Sequence, residues 1–305
     1  MLCSLLSILG IFLLCRGLYR VGYLAYTQLC TEKPLLQRYS ISGQRPWALV
    51  TGASDGIGLG FAEHMAKRGF NVIMHGRNEQ KLKEKQESLM SAYPKAEVKL
   101  LVRDMAKCLE TGFFAGIKKE LTGFDIAVIV NNVGVAMSSA NVIGEEGTDE
   151  IVENVVKVNT ISQTMMTQLF IDQFNKRSAK SAIIDVSSIC SVFSSGYIPV
   201  YSGTKIFSKY VTLGVARSGK YSNVDMLCLT PSWVTTKMIA KVKKNRFHCT
   251  VDECVEGALR ALGNTNETYG SKKHTLHGLM VEFFMLNFNH IIANKLYEMV
   301  LNLLA

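Results

Sequence analysis

Between Trp47 and about Gly278 short apolar runs alternate with stretches of helical periodicity. The runs are Trp47–Thr51, Asn71–His75, Glu97–Val102, Ile126–Asn131, Ser181–Ser187 and Val224–Thr230. They are apolar nearly throughout rather than at every second position, as strands covered on both faces must be. Between them, Ile57–Arg68, Glu79–Tyr93, Leu109–Leu121, Asp149–Phe174 and Val200–Ser218 carry apolar residues at helical spacing. This alternation predicts an α/β fold with a doubly wound parallel sheet. No linker, repeat or charge block divides the region, so residues 46–278 are expected to form a single domain.

The pattern changes at both ends. Residues 2–15 carry no charge; Arg16 and Arg20 follow, then a second apolar and aromatic stretch to Cys30. A helix over 2–15 would be roughly 21 Å long, short of a ~30 Å hydrocarbon core, whereas one extended through Tyr26 could span it. There is no basic segment before the apolar run and no small-residue cleavage site, and the positive charge follows the run. Residues 1–30 are therefore expected to be an uncleaved membrane anchor that leaves the next domain in the cytosol, with both arginines near the boundary. Residues 31–45 read as a linker. From Leu279 to Ala305 apolar residues are interrupted by Glu282, Asn287, Asn289, His290, Asn294, Lys295, Glu298 and Asn302. That suits an amphipathic helical tail lying on a membrane, on a partner or against the core.

Composition sharpens this picture. With 48% hydrophobic residues, 24 glycines and 5 prolines in 305, the chain is neither disordered nor collagen-like. The mean hydropathy of +0.15 is raised by the two ends. Lys and Arg exceed Asp and Glu by 34 to 25, a net charge of +9 that permits an anionic membrane or a polyanionic substrate. The basic residues are dispersed and no reading motif is present, so no nucleic-acid partner is expected. The eight cysteines contain no Cys-x-x-Cys pair and read as reduced thiols. Cys249 and Cys254 stand near His248, Asp252 and Glu253, but the spacing matches no common zinc motif and no metal is expected.

The first apolar run leads into Thr51-Gly52-Ala53-Ser54-Asp55-Gly56-Ile57-Gly58 and then a helix. Glycines there let the backbone approach a pyrophosphate, and the helix start offers free N–H groups, the dinucleotide site of a Rossmann-type sheet. Gly52, Ser54, Asp55, Gly56, Ile57 and Gly58 are thus candidate cofactor contacts. The second run ends Ile73-Met74-His75-Gly76-Arg77-Asn78 without the carboxylate that would bond a ribose 2′-hydroxyl. Arg77 could instead pair with a 2′-phosphate, which points to NADP(H). Asp104 could hydrogen-bond the adenine amino group or cap the next helix. Asn131, in Asn131-Asn132-Val133-Gly134, could bond strand ends beside the cofactor.

Tyr201 and Lys205 share one helix face at i,i+4 spacing. An ammonium there favours the phenolate and is expected to lower the phenol from its usual ~10. Such a tyrosine can give a proton to a carbonyl oxygen or take one from a hydroxyl. Tyr197 lacks a lysine partner. Ser188, at the end of the fifth run, can bond a substrate carbonyl, while Ser187 is expected to turn into the fold. Asn159 lies late in a long helix, where a kink could open its backbone to water.

These motifs in order make the chain resemble the short-chain dehydrogenase/reductase family over about residues 45–278. The resemblance rests on Thr-Gly-x-x-x-Gly-x-Gly at 51–58, Asn-Asn-x-Gly at 131–134, and Asn159, Ser188, Tyr201 and Lys205 at tetrad spacing, with Pro231 and Thr236 after the sixth run. The chain is most similar to the membrane-bound branch holding very-long-chain 3-oxoacyl-CoA reductase and 17β-hydroxysteroid dehydrogenases of types 3 and 12. The cues are the N-terminal anchor, Val133, Thr235-Thr236-Lys237-Met238 and His274-Thr275-Leu276-His277-Gly278-Leu279-Met280. Three departures stand out, the first being a short stretch between Gly134 and the next helix that would alter the pocket rim. Ser232 occupies a position where glycine is common, and the end Asn302-Leu303-Leu304-Ala305 lacks a dilysine signal.

The resemblance implies that hydride passes from NADPH to a ketone while Tyr201 protonates the oxygen, Lys205 lowers the tyrosine and holds the ribose, Ser188 orients the carbonyl and Asn159 keeps a relay water. Val234 and Thr236 would steady the nicotinamide. It also implies an endoplasmic-reticulum membrane protein with a cytosolic catalytic domain, and a possible homodimer through two long helices. Lys237, Lys241, Lys243, Lys244 and Arg246 cluster where the family has its substrate flap, which suits the phosphates of a long-chain 3-oxoacyl-CoA. A steroid ketone is the alternative substrate. A membrane scaffold that binds NADPH without turnover is the alternative of another kind.

Overall fold

The apolar runs become the strands β1 (Trp47–Thr51), β2 (Asn71–Gly76), β3 (Val98–Val102), β4 (Ile126–Asn131), β5 (Ser181–Val186) and β6 (Val224–Leu229) of a computed structural model. A seventh, β7 (Glu267–Thr268), is two residues long and has no apolar run to announce it. The helices are α1 (Leu2–Leu29), α2 (Leu35–Tyr39), α3 (Gly56–Lys67), α4 (Glu79–Ala92), α5 (Phe113–Glu120), α6 (Asp149–Val156), α7 (Ser162–Asn175), α8 (Pro199–Arg217), α9 (Val251–Ala261) and α10 (Lys272–Asn287). The structure describes residues 2–41, 43–136, 143–144, 148–193, 198–240, 244–287 and 295.

All strands pair in parallel, in the order β3-β2-β1-β4-β5-β6-β7. The chain builds outward from β1 in one direction, then returns to build outward in the other. Between β1 and β4 the order reverses, and a crevice opens beyond their C-terminal ends. Alternate residues of each strand feed opposite layers. Ala48 and Val50 of β1 pack with Phe61, Met65 and Val255 of α3 and α9, whereas Trp47 and Leu49 pack with Ile117, Phe170 and Phe174 of α5 and α7. The doubly wound sheet expected from the sequence is thus present.

The ends differ more from expectation. Among the described residues no helix is long and apolar enough to cross a membrane. The first part of α1 stands away from the domain, with Ile8, Ile11, Phe12, Leu14 and Leu18 all exposed. Its last turns dock on the domain, where Thr27 is buried and Gln28 Nε2 donates to Gly270 O at 3.2 Å. Arg20 belongs to the docked part of the helix. It turns inward, its Nε 2.7 Å from Glu282 Oε2 of α10 and its Nη2 3.5 Å from Glu267 Oε2 of β7. The reason is charge: Glu282 has little solvent and needs a cation, while Glu267 beside it is already paired with Lys209. The expected linker is also fastened, since Arg38 forks onto Asp225 at 2.6 and 2.9 Å and Tyr39 is fully buried. Where α10 overlaps the expected tail it is partly core, with Val281 and Glu282 buried. Beyond Asn287 the tail lies outside the described residues, apart from Lys295.

Replacing one member of the Arg20–Glu282 pair should therefore cost more than replacing both. Arg20→Met should destabilise the protein by about 1–3 kcal/mol by leaving Glu282 with the Tyr269 hydroxyl as its partner and no cation, while Glu267 keeps Lys209. Arg20→Met combined with Glu282→Leu should recover part of that loss, as read by urea unfolding of the singles and the double.

Candidate functional site

The turn from β1 to α3 is tight enough to dictate its residues. Gly52 and Gly56 hold φ of +67° and +55°, in the left-handed region. A Cβ on Gly58 would meet Gly52 O at 2.2 Å and Asn132 Nδ2 at 2.5 Å, so no side chain fits. Asn132 braces the turn by donating from Nδ2 to Thr51 O at 2.9 Å. Thr51 Oγ1 accepts from the N–H groups of Asn132 and Val133 at 2.9 and 3.0 Å. Ser54 and Ile57 are half-buried within the turn. Asp55 caps α3 by accepting from Gly56 N at 2.8 Å and pairs with Lys237 Nζ at 2.8 Å. The hydrogen bond from Lys237 holds its carboxyl below the usual range. A bare backbone at a helix start, beside the crevice, fits the pyrophosphate of a dinucleotide.

Arg77 is exposed just beyond β2. The nearest carboxylate along the chain, Glu79, is engaged by Lys83 at 2.7 Å, which leaves Arg77 for an incoming anion. His75 beneath it is buried, and burial pushes its pKa down to about 4, so it is neutral at pH 7. Asp104 acts as a cap, accepting from Ala106 N at 3.0 Å. Asn131 does not reach the adjoining strand ends by their backbones. Its Nδ2 donates to Asp185 Oδ1 at 2.8 Å and Thr167 Oγ1 at 3.1 Å inside the sheet. The brace expected of Asn131 comes from Asn132, which points to the other face of the strand end.

The four tetrad residues arrive from three elements. Ser188 follows β5 and caps a short turn, its Oγ accepting from Cys190 N at 3.2 Å. Tyr201 and Lys205 lie on α8, with Lys205 Nζ 5.6 Å from the Tyr201 ring centre. Lys205 is buried and donates to Val186 O at 3.0 Å, and Ser187 turns inward to donate to Lys205 O at 2.7 Å. Burial pulls the ammonium down to about 8. The phenol behaves opposite to expectation. Burial raises it, Cys190 adds to the rise, and only the facing Ser188 hydroxyl opposes it. The lysine spends its strongest contact on Val186 O, so desolvation wins and Tyr201 keeps its proton.

Asn159 sits in a π-helical turn, Lys157–Ile161, that separates α6 from α7. The expected kink is there, but the carbonyl of Asn159 accepts from Ser208 Oγ at 3.2 Å. Its side chain does the visible work. Oδ1 accepts from Val135 N at 2.8 Å, and Nδ2 donates to Val135 O at 3.0 Å and Thr204 Oγ1 at 3.1 Å. Gly134 lies against it: a Cβ there would meet Asn159 Oδ1 at 3.3 Å and Lys205 Nζ at 3.4 Å.

The loop after β6 closes the crevice. Thr236 lies over the glycine turn, its Cγ2 3.2 Å from where a Cβ of Gly56 would be, and Val234 is buried. Ser232, standing where glycine is common, hydrogen-bonds His277 Nδ1 at 2.7 Å. Trp233 and Phe247 stack on His277 with centres 4.9 and 4.4 Å away. Sequence reasoning did not single out this column. Of the basic cluster, Lys237 is engaged with Asp55, Lys244 and Arg246 are exposed, and Lys241, Lys243 and also Tyr197 lie outside the described residues. Cys249 and Cys254 meet His274 rather than their neighbours in sequence. His248 stacks on Trp233, Asp252 pairs with His64, and Glu253 completes a capping box with Thr250.

Residues 46–246 match the short chain dehydrogenase family. Very-long-chain 3-oxoacyl-CoA reductase-B of Danio rerio is 31% identical over 245 residues, 80% of this chain and 76% of the relative. 17-beta-hydroxysteroid dehydrogenase type 3 of Danio rerio is 28% identical over 238 residues, 77% and 75% of the two chains. The fold is also that of a short-chain dehydrogenase from Sphingobium yanoikuyae in complex with NADPH, with a TM-score of 0.65 and 22% identity over 80% of this chain and 97% of that one.

The close approach at Gly58 makes a sharp prediction. Gly58→Ala should lower stability by about 2 kcal/mol or more, since one atom in the way is the turn's own backbone and the other is the Asn132 amide that braces it. Gly116→Ala, with open space around its Cβ, should lower it little or not at all. Thermal melts of the two variants compare them directly.

Proposed function

This chain belongs to the short-chain dehydrogenase family, and from that premise we propose that it is an NADP(H)-dependent ketone reductase that converts a long-chain 3-oxoacyl-CoA to the 3-hydroxyacyl-CoA in fatty-acid elongation. One observation carries the reaction type. Ser188, Tyr201 and a buried Lys205 converge at the C-terminal edge of β5, beside the glycine turn. The chemistry NADPH would bring there is hydride donation to the carbonyl carbon. The turn Gly52–Gly58 would hold its pyrophosphate, Arg77 its 2′-phosphate, Lys205 its ribose, and Val234 and Thr236 its nicotinamide.

Ser188 orients the ketone by donating to its oxygen. Tyr201 gives that oxygen a proton, a role served by a phenol that burial keeps in its acid form. Lys205 compensates the phenolate left behind, and Asn159 with Gly134 fixes where the ammonium can stand. The acyl-CoA reading is supported by the reductase relatives and by exposed Lys244 and Arg246 after the crevice loop. Association with the endoplasmic-reticulum membrane, the catalytic domain on the cytosolic side, is proposed from the exposed apolar side chains of α1. A homodimer through α7 and α8 is proposed from exposed Met165, Phe207 and Tyr210.

Detergent-solubilised protein should oxidise NADPH when given a long-chain 3-oxoacyl-CoA. Turnover of a 17-ketosteroid alone would move the proposal to a hydroxysteroid dehydrogenase, and turnover of neither would leave an NADPH-binding scaffold. Tyr201→Phe should abolish nearly all turnover with NADPH affinity little changed, measured by fluorescence titration. Acidity has a definite sign. Lys205 is charged below about 8 and neutral above it, so kcat/KM for reduction should fall as pH rises through that value. A rate that stays flat well beyond it would assign the critical charge elsewhere.

A further inference from the structure

We propose that Cys249, Cys254 and His274 form a binding site for a thiophilic divalent metal ion, with Zn2+ the cation it fits, behind the loop that closes the crevice. The three donors come from separate segments: Cys249 from the strand-like approach to α9, Cys254 from the first turns of α9 and His274 from the start of α10. All three side chains are buried, at 2%, 0% and 0% exposure, and their donor atoms lie within 4.8 Å of one another. Two sulfurs and one imidazole nitrogen are the donors that borderline-soft zinc prefers.

The spacing suits an ion. Cys249 Sγ and His274 Nδ1 are 3.7 Å apart. Ligands at ordinary Zn–S and Zn–N lengths with tetrahedral angles would stand about 3.6 Å apart. The imidazole is also oriented for ligation. Its Nε2 faces Trp233 O at 3.3 Å, and a carbonyl only accepts, so Nε2 carries the proton and Nδ1 offers its lone pair. A ligating histidine usually has its other nitrogen tethered in this way. The N–H of Ser232 shares that lone pair at 3.2 Å, and an ion would displace this contact. Gly270, at φ +79°, leaves room for sulfur: its Cβ would stand 3.3 Å from Cys254 Sγ. The fourth position falls to water or to the Ser271 hydroxyl, which accepts from His274 N at 3.2 Å.

The site would be a staple. Cys249 bridges to Val234 as a strand would, with Thr235 N donating to Cys249 O at 2.9 Å. An ion held there ties the crevice loop, α9 and α10 at one point. Nothing in this proposal depends on the ketone that the protein reduces.

The test is direct. Untagged full-length protein, solubilised in mild detergent and gel-filtered from zinc-containing medium, should carry about one zinc per chain by mass spectrometry of the elements. Cys249→Ser, Cys254→Ser and His274→Asn should each reduce that content at least roughly tenfold. Should the variants fail to fold, chelator-treated wild-type protein decides the matter. Added Co2+ should give thiolate-to-cobalt charge transfer and the visible bands of a tetrahedral ion, with zinc restoring thermal stability and magnesium not. Wild-type protein without stoichiometric zinc and without the cobalt bands would overturn the proposal. So would zinc retained in all three folded variants, or a native Cys249–Cys254 disulfide found by peptide mapping.

Discussion

A lysine ammonium buried to 4% exposure is the constraint around which this site is arranged. Lys205 has given up water and found the carbonyl of Val186. Desolvation of a cation is costly enough that its surroundings cannot be left to chance. Gly134 keeps its space clear, Asn159 pins the Val135 backbone beside it, and Ser187 fixes its own carbonyl. The π turn at Lys157–Ile161 brings Asn159 to that place. An unbroken helix from α6 to α7 would rotate the asparagine away from both Val135 and Thr204. The same desolvation sets both titrations, pulling the ammonium down and pushing the phenol up.

Much of the fold was legible because the strands are buried on both faces. Six apolar runs predicted six strands, most within a residue of their ends. β7 escaped because it is short and polar, held by its neighbour β6 and by the ion pairs of Glu267 rather than by apolar content. The glycine turn was legible because steric exclusion acts on single residues, as at Gly58. The direction of the Tyr201 shift was not, because i,i+4 spacing shows proximity but not the degree of burial or a competing acceptor such as Val186 O. Asn131 and Asn132 exchanged parts for a similar reason. The order of two asparagines does not say which faces the turn.

Contacts between distant segments were invisible to spacing. Ser232 looks like a defect in a position favoured by glycine until its hydroxyl is seen to share a hydrogen bond with His277 of α10. Burial keeps His277 neutral, with its pKa pushed down to about 3, so it can stack between Trp233 and Phe247 as an aromatic ring. His274 joins Cys249 in the same way, across 25 residues. The loop that steadies one side of the crevice is therefore shaped from behind by α10. In front, exposed Lys237 reaches across to Asp55 of the glycine turn.

The Arg20–Glu282 contact joins residues 262 apart in the chain. At ordinary rates of translation, roughly ten to fifty seconds pass between the synthesis of one partner and of the other. Throughout that interval the nascent helix α1 exists without its mate, with its apolar side chains presented at the ribosome. Helix α1 is thus made before the domain it docks on and fastened after it. In the meantime Glu282 of a finished domain can meet Arg20 of its own chain or that of a neighbouring one.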